Sequence, residues 1–182
     1  MSGGPPDPAR PLWQEAASFA LRAHAGQTRH DGVTPYAAHA VRVALTVRDL
    51  FGCEDETAVA AALLHDVIED TPADYDDLHE RFGAAVADTV AALTKDMRRP
   101  EPQREAEYDR ALAAAGWRAA LVKLADTYDN LCDLSAPGKR QRMLDRCRRA
   151  LAIAGPLRDE HPAVARGSAL LTELVQRESA RG

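Results

Sequence analysis

Within LLHDVIEDTP, residues 63–72, four side chains able to ligate a metal or move a proton fall in six positions: His65, Asp66, Glu69 and Asp70. They close an apolar run, residues 58–64, that is suited to burial on every side. Burying an unpaired carboxylate or imidazole is costly, so such groups pair, hydrogen-bond or bind a metal. Read as one continuous helix, the stretch sets His65 and Asp66 about 100° apart. Glu69 is then i+4 from His65, and Asp70 is i+4 from Asp66. Ala61 and Ala62, one turn back, are small enough to let another helix approach. Two other apolar segments carry matching donors. His39 opens one, and Asp126 interrupts ALVKLADTYDNL with Asn130 one turn later.

Two imidazoles and two carboxylates form a mixed nitrogen and oxygen set that suits manganese, iron or zinc better than calcium. Such a set supplies two negative charges and leaves coordination positions for water and substrate. A bound divalent ion lowers the pKa of water from about 15.7 to about 7–9. Glu69 and Asp70 are then free to orient that water or pass a proton. A single buried histidine is more often satisfied by a backbone carbonyl. It is the joint pattern H…HDxxED…D, each part on an apolar helix, that points to a metal.

The elements that must position these groups are helices. Alanine is abundant, only 5% of residues are aromatic, and no alternating strand of useful length is present. The expected class is all-α, one domain over residues 12–178, with a disordered Gly/Pro-rich tail at 1–11 and a short tail at 179–182. Helices are expected over residues 12–25, 38–51 and 56–71, the last capped by Asp55 and stopping before Pro72. A short helix capped by Asp74 should end at Gly83. Others are expected over 84–94, 116–134, 139–157 and 162–177, with a polar loop at 97–105. In the second helix Val41 and Leu45, with Val43 and Val47, are read as inward. Trp13 and Trp117 are read as core anchors, and His24, His79 and His161 as structural.

A net charge of −5 argues against broad nucleic-acid binding, which draws on clustered lysine and arginine. No run approaches a membrane span and no signal peptide is evident, so a cytoplasmic protein is expected. Cys53, Cys132 and Cys147 are odd in number and scattered without a CxxC, which argues against a disulfide framework or a thiolate zinc site. The sequence is compatible with a homo-oligomer. Lys139, Arg142, Arg146 and Arg149 recur at helical spacing; a solvated face is the simpler reading, a phosphate-side rim or a site for an acidic partner the sharper one. Lys123, one turn before Asp126, is within reach of a phosphate.

Four segments, AHAGQTRHDGVTPYAAH (23–39), AALLHDVIEDT (61–71), FGAAVADTVAALTK (82–95) and LVKLADTYDNL (121–131), together resemble the HD-domain metal-dependent phosphohydrolases. More narrowly, they are similar to the hydrolase domain of the RelA/SpoT family and its stand-alone alarmone hydrolases. The resemblance implies Mn2+ held by His39, His65, Asp66 and Asp126, with Glu69 and Asp70 activating water. It also implies a guanosine nucleotide held by Arg29 stacking on the base and by Tyr36, Thr94 and Asn130. The implied reaction removes pyrophosphate from the 3′ position of guanosine tetra- or pentaphosphate; no synthetase domain is expected in this chain. Several positions depart from the family pattern. His30 stands where a second basic residue is common, and Ala40 follows His39 where proline is usual. Thr127 follows Asp126 where Lys or Arg is usual, and Cys132 occupies a frequent arginine position. These losses leave open a different phosphorylated nucleotide or metabolite as substrate, or a non-catalytic nucleotide-binding module.

Overall fold

The computed structural model describes residues 11–134 and 137–180. The expected N-terminal tail, apart from Pro11, and residues 181–182 of the expected C-terminal tail lie outside that range. Helix α1 (Leu12–Ala23) buries Ala16 and Ala20 and leads into a turn closed by Gly26 at φ 82°. Its alanine face lets the chain sit close against the third helix, which leaves Trp13 at the edge, 39% exposed and not the core anchor expected. Trp117, by contrast, is packed against the core.

Helix α2 (Ala37–Leu45) runs into a π-helical turn, Thr46–Leu50. Its inward face carries His39, Ala40, Val43 and Val47, while Val41 and Leu45 are 37% and 48% exposed. The expected inward pair is therefore corrected. Val43 and Val47 stand at i+4 and i+8 from His39, so the buried imidazole sets the phase of the helix.

Helix α3 (Glu56–Leu64) starts where the Asp55 carboxylate accepts the Ala58 N–H at 2.8 Å. Every residue from Ala58 to Leu64 is buried, as α1, α2, α6 (Ala84–Leu93) and α8 (Trp117–Cys132) pack around it. The expected continuous helix through residue 71 is broken. The chain turns at His65 and Asp66, with Asp66 at φ −101° and ψ 0°, and resumes as the single turn α4 (Val67–Asp70). Helix α5 (Tyr75–Phe82) opens with a reciprocal capping box between Asp74 and Asp77, and Gly83, at φ 80°, separates it from α6.

Residues 101–114 form a helix, α7 (Glu101–Ala114), where a loop was expected as far as residue 105. Pro102 stands in its first turn, where the missing N–H costs nothing. The long α8 is followed by α9 (Arg140–Ala154) and α10 (Pro162–Ser179). Gly167 in α10 presses on Phe51; a Cβ there would lie 2.8 Å from the ring. Among the described residues the only β feature is an isolated bridge between Thr28 and Pro35, so the class is all-α. No described helix is long and apolar enough to cross a membrane.

Candidate metal centre

Three buried donors converge: one ligand atom each from His39 on α2, His65 at the end of α3 and Asp126 on α8 lie within 4.8 Å of one another. The imidazole protons can be placed from their partners. His65 Nδ1 lies 2.9 Å from the Ala62 carbonyl, so it donates and Nε2 presents a lone pair. That Nε2 is buried without a hydrogen-bond partner and faces Asp66 Oδ2 at 3.0 Å and Asp126 Oδ1 at 3.8 Å. His39 repeats the arrangement. Its Nδ1 lies 2.7 Å from Asp129 Oδ2, and its Nε2 faces Asp126 Oδ1 at 3.4 Å and Asp66 Oδ2 at 3.6 Å.

Lone pairs on two nitrogens aimed at carboxylate oxygens repel unless positive charge lies between them. Burial lowers the His65 imidazole, but the charges of Asp66 and Asp126 outweigh it and hold the group up at about 9. Burial likewise raises the carboxyls, yet the charge of His65 brings Asp66 down to about 2, and Lys123 with both imidazoles takes Asp126 well below the usual range. The pocket thus holds positive charge between these groups, a proton on Nε2 or a metal ion in its place, and its N2O donor set, with Asp66 alongside, fits a divalent metal.

The remaining contacts fix these donors. Asp66 Oδ2 also accepts the Tyr36 hydroxyl at 2.5 Å. Asp126 Oδ2 accepts Lys123 Nζ at 2.8 Å, and its Oδ1 accepts Asn130 Nδ2 at 2.5 Å. Arg29, with its side chain 8% exposed, donates to Asn130 Oδ1 at 2.9 Å and Asp133 Oδ2 at 3.0 Å, and its guanidinium carbon sits 5.7 Å from the centre of the Tyr36 ring. Arg29, Tyr36 and Asn130 are therefore gathered on one rim. Thr94 turns its hydroxyl back onto the Val90 carbonyl at 3.0 Å.

Glu69 is half-buried and accepts the Lys95 backbone N–H at 2.9 Å. Burial raises its carboxyl above the ordinary range; the Lys95 N–H opposes this, and the charges of Asp66 and Asp70 add to it. Burial and then Asp66 raise Asp70 as well. Asp70 also anchors the loop before α2, since its carbonyl accepts Gln27 Nε2 at 2.7 Å. His24, read as structural, is buried, bonded to Gln27 at 2.8 Å and set against the Tyr36 ring with centroids 4.7 Å apart.

Sequence reasoning missed Asp129 and Arg42. Asp129 holds His39, and Arg42 grips Asp129 at 2.6 Å and 2.9 Å and reaches Asp133 at 3.1 Å. The available signal was an arginine three positions after His39 and an aspartate three after Asp126. Half of the basic stripe also has a structural explanation, since Arg142 pairs with Glu101 at 2.6 Å and Arg149 with Glu105 at 2.7 Å.

Comparison with known proteins places this geometry. A family model described as "HD domain" matches residues 16–154. The bifunctional (p)ppGpp synthase/hydrolase SpoT of Escherichia coli K12 is 39% identical over 152 residues, 79% of this chain. The chain spans 21% of that longer protein. The guanosine-3′,5′-bis(diphosphate) 3′-pyrophosphohydrolase MESH1 of Drosophila melanogaster is 38% identical over 124 residues, 67% of this chain and 69% of its own. A solved structure of a metazoan SpoT ortholog, described as hydrolysing ppGpp, superposes with a TM-score of 0.79 at 28% identity, covering 94% of this chain and 98% of that one.

Proposed function

The chain belongs to the HD domain family, and from that footing we propose that it is a divalent-metal-dependent hydrolase that removes pyrophosphate from the 3′ position of guanosine 3′,5′-bis(diphosphate). The observation that carries this reading is the pair of imidazoles whose Nδ1 protons are committed elsewhere while both Nε2 atoms face carboxylates. The SpoT and MESH1 relatives support the substrate assignment by their names. In this reading His39, His65, Asp66 and Asp126 hold the ion, manganese by the family resemblance, in a protein of the cytoplasm. The ion supplies Lewis acidity and a water acidic enough to deprotonate near neutral pH.

The chain's own groups do the rest. Glu69 and Asp70, whose carboxyls are both raised, take the proton of the attacking water and return one to the departing 3′ oxygen as the P–O3′ bond breaks. Tyr36 donates to Asp66 and fixes which of its oxygens faces the imidazoles. Arg29 and Asn130 form the rim on which the base rests, the planar guanidinium being suited to stacking. Thr94 lies in the segment flanking that rim.

Incubating the manganese-loaded protein with guanosine tetraphosphate should release pyrophosphate and guanosine diphosphate. No release at high enzyme concentration rejects the reading. Glu69→Gln should lower kcat by about 10²–10⁴-fold if the carboxylate handles the proton. A second substrate, another phosphorylated nucleotide, is favoured by one observation. Thr127, in the usual cationic position, is 1% exposed and spends its hydroxyl on the Lys123 and Leu124 carbonyls. A panel of phosphorylated nucleotides run beside the tetraphosphate separates the two.

A further inference from the structure

Helix α8 ends in a run of acids that an isolated helix would not favour. Asp126, Asp129 and Asp133 follow one another at i+3 and i+4, so three like charges share one face. The last of them is the C-cap, where the helix dipole is negative and a carboxylate is unfavourable. Asp126 is a candidate metal ligand and Asp129 the partner of His39. Asp133 has neither role, and its side chain is 42% exposed.

Its contacts supply another. Asp133 Oδ2 accepts Arg29 Nε at 3.0 Å and Arg42 Nη2 at 3.1 Å, so one oxygen joins two guanidinium groups that come from outside α8. Arg42 also donates to both oxygens of Asp129, at 2.6 Å and 2.9 Å, and Asp129 Oδ2 lies 2.7 Å from His39 Nδ1. Arg29 reaches a second candidate ligand by a shorter route. It donates to Asn130 Oδ1 at 2.9 Å, and Asn130 Nδ2 donates to Asp126 Oδ1 at 2.5 Å. The rim arginine is thereby tied to two candidate ligands through side chains alone. An isolated ion pair at this exposure contributes little, whereas several charges that hold one another form a network of fixed geometry.

We propose that Asp133 is a positioning residue that couples the base-bearing rim to the metal centre. A base stacked on Arg29 fixes its guanidinium, which in turn fixes Asp133, Arg42 and Asp129, and so the aim of His39 Nε2. The first ligand to bind orders these side chains, and the second finds them ordered. The coupling is reciprocal, so the metal tightens the nucleoside by the same factor. That a base lies on Arg29 rests on the function proposed above; the contacts from Arg29 to His39 do not.

The test is manganese titration of the full chain with and without saturating guanosine, which carries the base but no phosphate to touch the ion, beside kcat and KM for guanosine tetraphosphate. In the wild type guanosine should tighten manganese binding by about tenfold. Asp133→Ala leaves only the Asn130 route. With the two routes equal, it should cut that factor to about threefold and raise KM by a similar amount, with kcat at saturating manganese kept. Asp133→Asn, which retains an acceptor oxygen, should fall between. Asp145→Asn, at a carboxylate on α9 that pairs with Arg148 at 2.8 Å, should match the wild type. A merely structural Asp133 would move Tm and leave the guanosine factor alone. Guanosine that leaves wild-type manganese affinity unchanged, or a full factor kept in Asp133→Ala, overturns the coupling even if the tetraphosphate is turned over. If the factor falls as expected but the tetraphosphate is not turned over, the coupling stands and the substrate assignment falls.

Discussion

His39 is held from behind: Asp129 takes the proton of Nδ1, and Arg42 takes both oxygens of Asp129. A partner of this kind fixes the tautomer and aim of a ligating imidazole and raises its basicity. Asp129→Ala should therefore weaken manganese binding by about 10–100-fold. Asp129→Asn, which keeps an acceptor oxygen, should weaken it less. Manganese titration of the full chain reads both, and affinities equal to the wild type would remove Asp129 from the site. The donors themselves were legible in the sequence because each is a polar group on an apolar helix, where burial without a partner is too costly. Asp129 was not. An aspartate one turn from Asp126 reads as a solvated position, and its imidazole partner is 90 residues away in sequence. Arg29 and Asn130 do meet, but the tie of Arg29 to Asp133 depends on a turn after α8 that no periodicity announces.

At the scale of the helix, phase and ends decide which side chains meet. The i+4 spacing drawn from His65 to Glu69 assumed an unbroken helix, yet the chain turns at His65 and Asp66, and Glu69 is placed by the Lys95 N–H instead. Most starts and stops were readable, since Asp55, Asp74 and Gly83 act through local geometry. Helix α7 was not, because it buries only Tyr108 and Leu112 and carries charge in each of its first three turns, so it shows no clear apolar stripe. Its acids serve the neighbouring helix. Glu105 sits between Lys95 and Arg149; burial raises its carboxyl, but those two cations bring it down from its ordinary 4.5 to about 2. A depressed carboxyl contributes stability that is present above about 4.5 and lost as the pH falls toward 2. The gap in unfolding free energy between the wild type and Glu105→Gln should therefore be widest near neutral pH, about 1 kcal/mol after screening, and close between pH 5 and 2. Urea titrations across that range measure it, and a gap independent of pH would contradict it. Packing between helices is tested at Gly167, where an added Cβ meets the Phe51 ring at 2.8 Å. Gly167→Ala should destabilise by about 1–3 kcal/mol, read by the same urea melts.

Across the whole molecule, the candidate centre is where three helices with no side-chain cross-link between them bring their donors together: His39 from α2, His65 from the end of α3 and Asp126 from α8. Disulfides do not tie these elements, since Cys53, Cys132 and Cys147 are free. The surrounding core, with α3 buried all round, sets the approach of the helices but leaves unfavourable carboxylate and lone-pair contacts at their meeting point. A divalent cation relieves those contacts in the folded state alone, because the unfolded chain holds no such cluster. Binding is therefore coupled to folding. At free manganese about one hundred times its dissociation constant, the fold should gain about 2.7 kcal/mol, a rise of roughly 5–10 °C in Tm for a chain of this length. Chelation should reverse it. The control that separates the site from general ion effects is His65→Ala, which removes one donor and should abolish the metal-dependent rise whatever its own starting Tm. A Tm indifferent to manganese in the wild type, or a rise that survives His65→Ala, would mean that these three helices are not joined through a shared ion.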